Sequence, residues 1–186
     1  SVRLDGIDLR EYTLDGLRTH IQPIQQDVFL FSDTIRNNIA LGLDLSDERI
    51  REVARMVQAD AFIERLPAGY NTRLTEGATN ISTGERQLLS FARILAHDPR
   101  IIIMDEATSN IDTETEQLIQ KAVETVMENR TALVIAHRLS TIKHADRILV
   151  LSEGELVEMG NHEELIASGG LYYNLYRLQY QESNET

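Results

Sequence analysis

The chain has 186 residues, 42% hydrophobic and 26% charged, with no cysteine and a formal net charge of −12. The apolar share supports one buried core, and the lack of cysteine excludes disulfides and thiolate metal sites. Such acidity disfavours a nucleic-acid or anionic-lipid binder, and no apolar run nears the roughly 20 residues that span a bilayer. A soluble globular domain is expected, without a signal-peptide pattern and with a disordered polar tail over residues 181–186.

Taken in chain order, Val2 and Leu4 alternate with polar neighbours before an Asp5-Gly6 turn, as in the end of a strand whose partners lie upstream. Residues 14–17 suit a short helical turn. Residues 21–24 suit a strand that Pro23 assigns to a sheet edge or end. From residue 32 to 96 the rhythm is helical. Ile50, Val53, Ala54, Val57 and Ala61 fall on one helix face, with Ser46 as N-cap and Asp47 and Glu48 in the first turn. Pro67, Gly69 and Gly77 break that pattern, and a second long helix is expected from Ser82 to about His97, stopped near Pro99.

Beyond Pro99 the pattern turns to α/β. Residues 101–104, 132–135 and 148–151 are apolar strand candidates, and a turn at Glu153-Gly154 leads into Leu156-Val157. Residues 113–128 read as a helix with Thr113 and Glu116 as a capping box, residues 161–167 as a short helix capped by Asn161 and Glu164, and residues 171–180 as a last helix. This alternation implies a parallel sheet with both faces covered.

Several positions invite chemistry. Asp105 ends an apolar strand, where open α/β sheets place ligands, and could hold Mg²⁺ as a hard oxygen donor. Glu106 beside it could polarise an attacking water. By themselves these two acids are equally well explained as a strand end at the surface. His137 follows another apolar strand and could meet a terminal phosphate. Gln26, after residues 21–24, could bind a metal or water through its amide oxygen, although a polar strand-loop junction explains it as well. Ser82 and Glu85 form an S-x-x-E capping box, and Gly84 would let another group approach the first helical turn. That helix start offers an anion site; a well-capped helix is the plainer reading.

As an ordered set these residues resemble the nucleotide-binding domain of ABC transporters. Gln26 matches the Q-loop glutamine. Residues 81–85 (I-S-T-G-E), continuing into Arg86-Gln87, resemble the signature motif, usually L-S-G-G-Q. Residues 101–105 resemble Walker B, with Glu106 at the catalytic glutamate. Residues 109–112 (S-N-I-D) resemble the D-loop, with Ser109 and Asp112 as its polar positions. His137 matches the switch histidine. Glu76-Gly77 resembles the loop that touches the membrane domain in exporters. Residues 27–39 and 136–141 are similar to exporters whose membrane and ATPase domains share one polypeptide.

The resemblance implies a partial P-loop NTPase fold of the ABC ATPase type. Residues 1–31 and 97–180 form an α/β core with a parallel sheet, and residues 32–96 an inserted helical subdomain carrying the signature. It implies ATP and Mg²⁺ as cofactors, with Asp105 and Gln26 toward the metal and Glu106, His137 and Gln26 in catalysis. Ser82, Thr83, Gly84, Glu85, Ser109 and Asp112 would line the nucleotide. It implies as partners a second ABC ATPase domain and a membrane-spanning domain, no nucleic acid, and a place at the cytoplasmic face of the cell membrane. A G-x-x-x-x-G-K-[ST] phosphate loop does not occur, which reads as a fragment of a longer exporter, inactive alone. Thr83 and Glu85 in the signature, and Asn110-Ile111 in the D-loop, depart from the usual residues. They fit either a heterodimer with a non-catalytic partner subunit or neutral variation. A DNA-associated ABC ATPase is disfavoured, since neither a coiled-coil insertion nor a basic surface is present.

Overall fold

The computed structural model describes residues 1–24, 28–105, 113–135 and 142–184. It divides into two compact units, Ser1–Val134 and Ile135–Thr186.

In the first unit, β1 (Arg3–Leu4) pairs antiparallel with β2 (Ile7–Asp8) around Asp5 and Gly6, both with positive φ. Within this chain β1 thus has a partner immediately downstream. Helix α1 (Leu14–His20) is longer than the single turn expected, because Thr13 caps it by accepting the Gly16 N–H. It leads into β3 (Ile21–Ile24), which pairs in parallel with β4 (Ile101–Asp105), Ile21 opposite Ile101 and Ile24 opposite Met104. Among the described residues the sheet order is β3-β4-β5, with β5 at Thr131–Ile135, so Pro23 lies on an edge strand there.

Between β3 and β4 stand four helices: α2 (Ile35–Ala40), α3 (Asp47–Met56), α4 (Asp60–Arg65) and α5 (Thr83–His97). Ser46 caps α3 by accepting the Arg49 N–H, and Ile50, Val53, Ala54 and Val57 are buried as their periodicity predicts. Ala61 departs from that face. The chain breaks at Gln58, whose φ is 59°, and Ala61 lies exposed on α4. Helix α6 is Thr113–Met127. One core joins α3, α5 and α6 to the sheet through Ile50, Leu89, Leu95, Ile102, Met104 and Val126.

Helices of this chain cover one of the two sheet faces. Ile102 and Met104 are buried on the helix side, whereas Ile103, Leu133 and Ile135 are exposed within this chain. Helices from this chain cover the face bearing Ile102 and Met104.

In the second unit, β6 (Ile148–Ser152) and β7 (Glu155–Gly160) make an antiparallel hairpin, not a further member of the parallel sheet. A direct turn at Glu153 and Gly154, both with positive φ, leaves no crossover and so dictates the antiparallel pairing. Helix α7 (His162–Ser168) has the expected Asn161/Glu164 capping box. Helix α8 (Leu171–Asn184) overruns the expected stop, so the chain is helical beyond residue 181. The Glu158 carboxylate caps its start by accepting the N–H groups of Leu171 and Tyr172 at 2.6 and 3.0 Å. No helix among the described residues is long and apolar enough to cross a membrane.

Candidate functional site

The start of α5 is the best-defined polar feature of the first unit. Ser82 takes the extended backbone of an N-cap, and its hydroxyl oxygen accepts the Glu85 N–H at 3.2 Å. The Glu85 carboxylate turns back and accepts the Ser82 N–H at 2.8 Å. Both halves of the expected capping box are therefore made. The hydroxyl proton of Ser82 is not spent in this box, since its oxygen is the acceptor. The amides of Thr83 and Gly84, in the first turn, have no intrahelical acceptor. Ser82 and Thr83 are exposed. One hydroxyl donor, first-turn amides and the positive end of a 15-residue helix converge here, an arrangement that attracts an anionic oxygen.

Gly84 serves a purpose the sequence reading placed elsewhere. The residue is buried, and a Cβ there would overlap the Thr115 side chain on α6. The group admitted to close approach is thus a neighbouring helix of the same chain.

Arg86 binds this turn to the loop before it. Its guanidinium donates to Thr83 Oγ1 at 2.8 Å, to the Ile81 carbonyl at 3.2 Å and to the Ala78 carbonyl at 3.4 Å. That loop contains Glu76-Gly77, and Asn80 holds it closed. Asn80 Oδ1 accepts the Thr75 N–H at 3.1 Å, while its amide donates to the Arg73 carbonyl at 3.1 Å.

Asp105 is the last residue of β4 and is exposed, at the carboxyl end of that strand. Mg²⁺ characteristically takes one or two protein carboxylates and completes its shell with water and substrate phosphates, so an exposed acid here fits that ion. No group of three or more acidic, histidine or cysteine side chains arranged to cage a metal occurs among the described residues. Gln26, Glu106, Ser109, Asp112 and His137 lie outside the described residues.

Two residues that the sequence reading passed over organise the segment after residue 27. Asn38 is buried. Its Oδ1 accepts the Phe31 N–H at 2.8 Å, and its amide donates to the carbonyls of Phe31 and Thr34, each at 3.0 Å. Arg93, on α5, donates to the Asn38 carbonyl at 2.9 Å, to Asn38 Oδ1 at 3.2 Å and to the Phe29 carbonyl at 3.0 Å. Burial lowers the pKa of this guanidinium. A cation inside the apolar run L-L-S-F-A-R-I-L-A was the available signal. Beside this network Phe29 and Phe31 stack edge to face with centroids 4.9 Å apart and remain 66% and 48% exposed. Phe31, Asp33, Arg36, Asn37, Leu41 and Leu43 line an open groove of about 500 Å³.

A profile of the family described as ABC transporter matches residues 1–109. An ATP-dependent lipid A-core flippase of Desulfotalea psychrophila is 51% identical over 180 residues, covering 96% of this chain and 32% of that protein. A probable multidrug resistance ABC transporter ATP-binding/permease protein of Bacillus subtilis is 50% identical, over 96% of this chain and 27% of its own length. The structure of a bacterial Atm1-family ABC exporter with ATP bound superposes with a TM-score of 0.83 at 42% identity, over 94% of this chain and 31% of that one. This chain thus spans about a third of the length of the proteins it matches.

Proposed function

The chain belongs to the ABC transporter family, and from that premise we propose that it is the ATPase part of an exporter, coupling ATP hydrolysis to transport across a membrane. The observation that carries this reading is the Ser82-capped start of α5, with its free hydroxyl proton and first-turn amides. In this reading it receives the γ-phosphate of ATP held by a second ABC ATPase domain. The Ser82 hydroxyl and the amides of Thr83 and Gly84 donate to phosphate oxygens, strengthening as charge builds in the transition state. The helical part, residues 32–96, presents this end, and Ser109 and Asp112 contribute to the same interface.

Asp105 and Gln26 would hold Mg²⁺, which supplies counter-charge to the phosphates. Glu106 accepts the proton of the attacking water as its oxygen bonds to the γ-phosphorus. The bond to the bridging oxygen breaks, and ADP leaves with that electron pair. His137 donates to a γ-phosphate oxygen and orients it. The groove beside Phe29 and Phe31 faces a membrane-spanning domain of the same polypeptide, in keeping with relatives named as combined ATP-binding and permease proteins. The site of action would be the cytoplasmic face of the cell membrane.

The test is phosphate release by the full-length parent in lipid nanodiscs with MgATP. Vanadate-sensitive turnover is expected, and its absence would remove the motor reading in favour of a non-catalytic partner subunit.

A further inference from the structure

The segment over residues 28–34 has no regular helix or extended strand ladder; only Thr34 forms a bridge, to Arg73. Its backbone groups therefore need other partners. Two side chains from outside the segment supply several of them. Asn38 mimics a strand partner for Phe31, taking its N–H and giving to its carbonyl. Arg93 donates to the carbonyl of Phe29 and, through two further N–H groups, to the backbone carbonyl and the Oδ1 of Asn38. One guanidinium thus ties Phe29 to α5 directly and Phe31 through Asn38.

Helix α5 begins at the Ser82 turn, and Arg93 lies three helical turns further along it. A continuous helix transmits displacement along its axis as a rigid body, whereas an irregular segment moves only where it is fastened. Resting on the exporter reading above, we infer that Arg93 is a positioning residue that couples the Phe29–Phe31 face to the phosphate-facing end of α5. Arginine suits this role because its planar fork satisfies acceptors in several directions at once. Lysine keeps the charge but gathers its donors on one nitrogen, so it cannot reach all the acceptors that three separate guanidinium nitrogens meet.

The experiment uses the full-length parent in nanodiscs, with spin labels on the extracellular side of its membrane domain. Phosphate release and the label-to-label distance under MgATP and vanadate are measured for wild type and Arg93→Lys. The expected result is hydrolysis within about twofold of wild type, while the fraction of membrane domains that change conformation falls to less than a third. A merely structural role would lower both readouts in proportion. Proportional loss, or no loss of either, overturns the inference. If Arg93→Lys does not fold, Asn38→Asp carries the same measurement, since it keeps the acceptors for Arg93 and Phe31 but loses the donor to the carbonyls of Phe31 and Thr34. Failure of both variants to fold assigns the network to stability alone and also overturns it. A wild-type parent without hydrolysis would instead count against the exporter reading itself.

Discussion

Ser82 and Glu85 satisfy each other across the first turn of α5: the Glu85 carboxylate accepts the Ser82 N–H at 2.8 Å, and the Ser82 hydroxyl oxygen accepts the Glu85 N–H at 3.2 Å. One serine therefore caps a helix with its lone pair and keeps a proton for an external acceptor. Stability and ligand binding share this side chain, but they draw on different parts of it.

Ser82→Ala should consequently lose both. The missing cap should cost about 1 kcal/mol of stability. ATP-driven association of two complete ATPase domains should weaken as well. Thermal melts and analytical ultracentrifugation with MgATP, in a background blocked for hydrolysis, separate the two effects. Unchanged association with lowered stability would confine Ser82 to capping.

Gly84→Ala should destabilise the domain by about 1–3 kcal/mol, the usual range for forcing extra volume into a packed contact. Its Cβ would overlap the Thr115 side chain, two helices meeting where only hydrogen fits. Combining it with Thr115→Ala should recover part of the loss. A double-mutant cycle on urea midpoints gives the coupling, and strict additivity would show that the two positions do not meet.

Glu106→Gln in the full-length parent should lower turnover by roughly 10²–10⁴-fold while ATP binding persists. Glutamine preserves shape but cannot take the proton from water. Phosphate release measured beside nucleotide trapping checks this, and near wild-type turnover would assign the base to another residue.

The sequence announced what depends on local rules. Ser46, Ser82 and Asn161 sit where caps were expected, because N-capping needs only the residue and its third neighbour. The family resemblance rested on ordered short motifs, which survive without any view of packing. Legibility ended where a local break overrode the apolar pattern, or where distant residues decide. The pairing of β6 with β7 turned on the tight turn at Glu153 and Gly154, while apolar strand composition alone suggested the parallel sheet. The helix break at Gln58 separated Ala61 from an otherwise continuous periodicity. Asn38 and Arg93 are 55 positions apart, so no window of sequence reveals their contact.

Acid should destabilise this domain through His97. Burial first, and the nearby positive charge of Arg93 second, lower its pKa from 6.5, and its Nε2 is buried without a hydrogen-bond partner among the described residues. The folded state thus favours the neutral ring, and the unfolded state binds the proton more readily. The stabilisation is full above pH about 6.5 and is lost as pH falls through that value toward the folded pKa. Asp33 also favours its charged form when folded, through its hydrogen bonds with Asn37 and Thr34, but that effect fades at more acidic pH, below the ordinary aspartate value of 3.8. Melts of the complete domain between pH 7.5 and 5.5, values set by the roughly 6.5 of free histidine, should fall more steeply for wild type than for His97→Gln. Parallel curves would show that His97 does not titrate differently on folding.

The charge of Glu85 poses the sharpest question about the helix start. A carboxylate favours a helix N-terminus, yet it stands near the place proposed for a polyphosphate. At about 6–8 Å and an effective dielectric of about 20, one like-charge pair costs roughly 2 kcal/mol before screening. The capping box moderates this, because the carboxylate is turned onto the Ser82 N–H and is held there at 2.8 Å. Glutamine can make the same bond through its amide oxygen and so keeps the box without the charge. Glu85→Gln should therefore leave the melting curve nearly unchanged and strengthen ATP-driven association modestly, by less than the unscreened figure. The gain should shrink as salt rises, since screening weakens the repulsion it removes. Association of complete domains titrated with MgATP at low and at high ionic strength measures both features. Unchanged or weaker association at low salt would mean that the carboxylate does not sense the nucleotide and acts only as a helix cap.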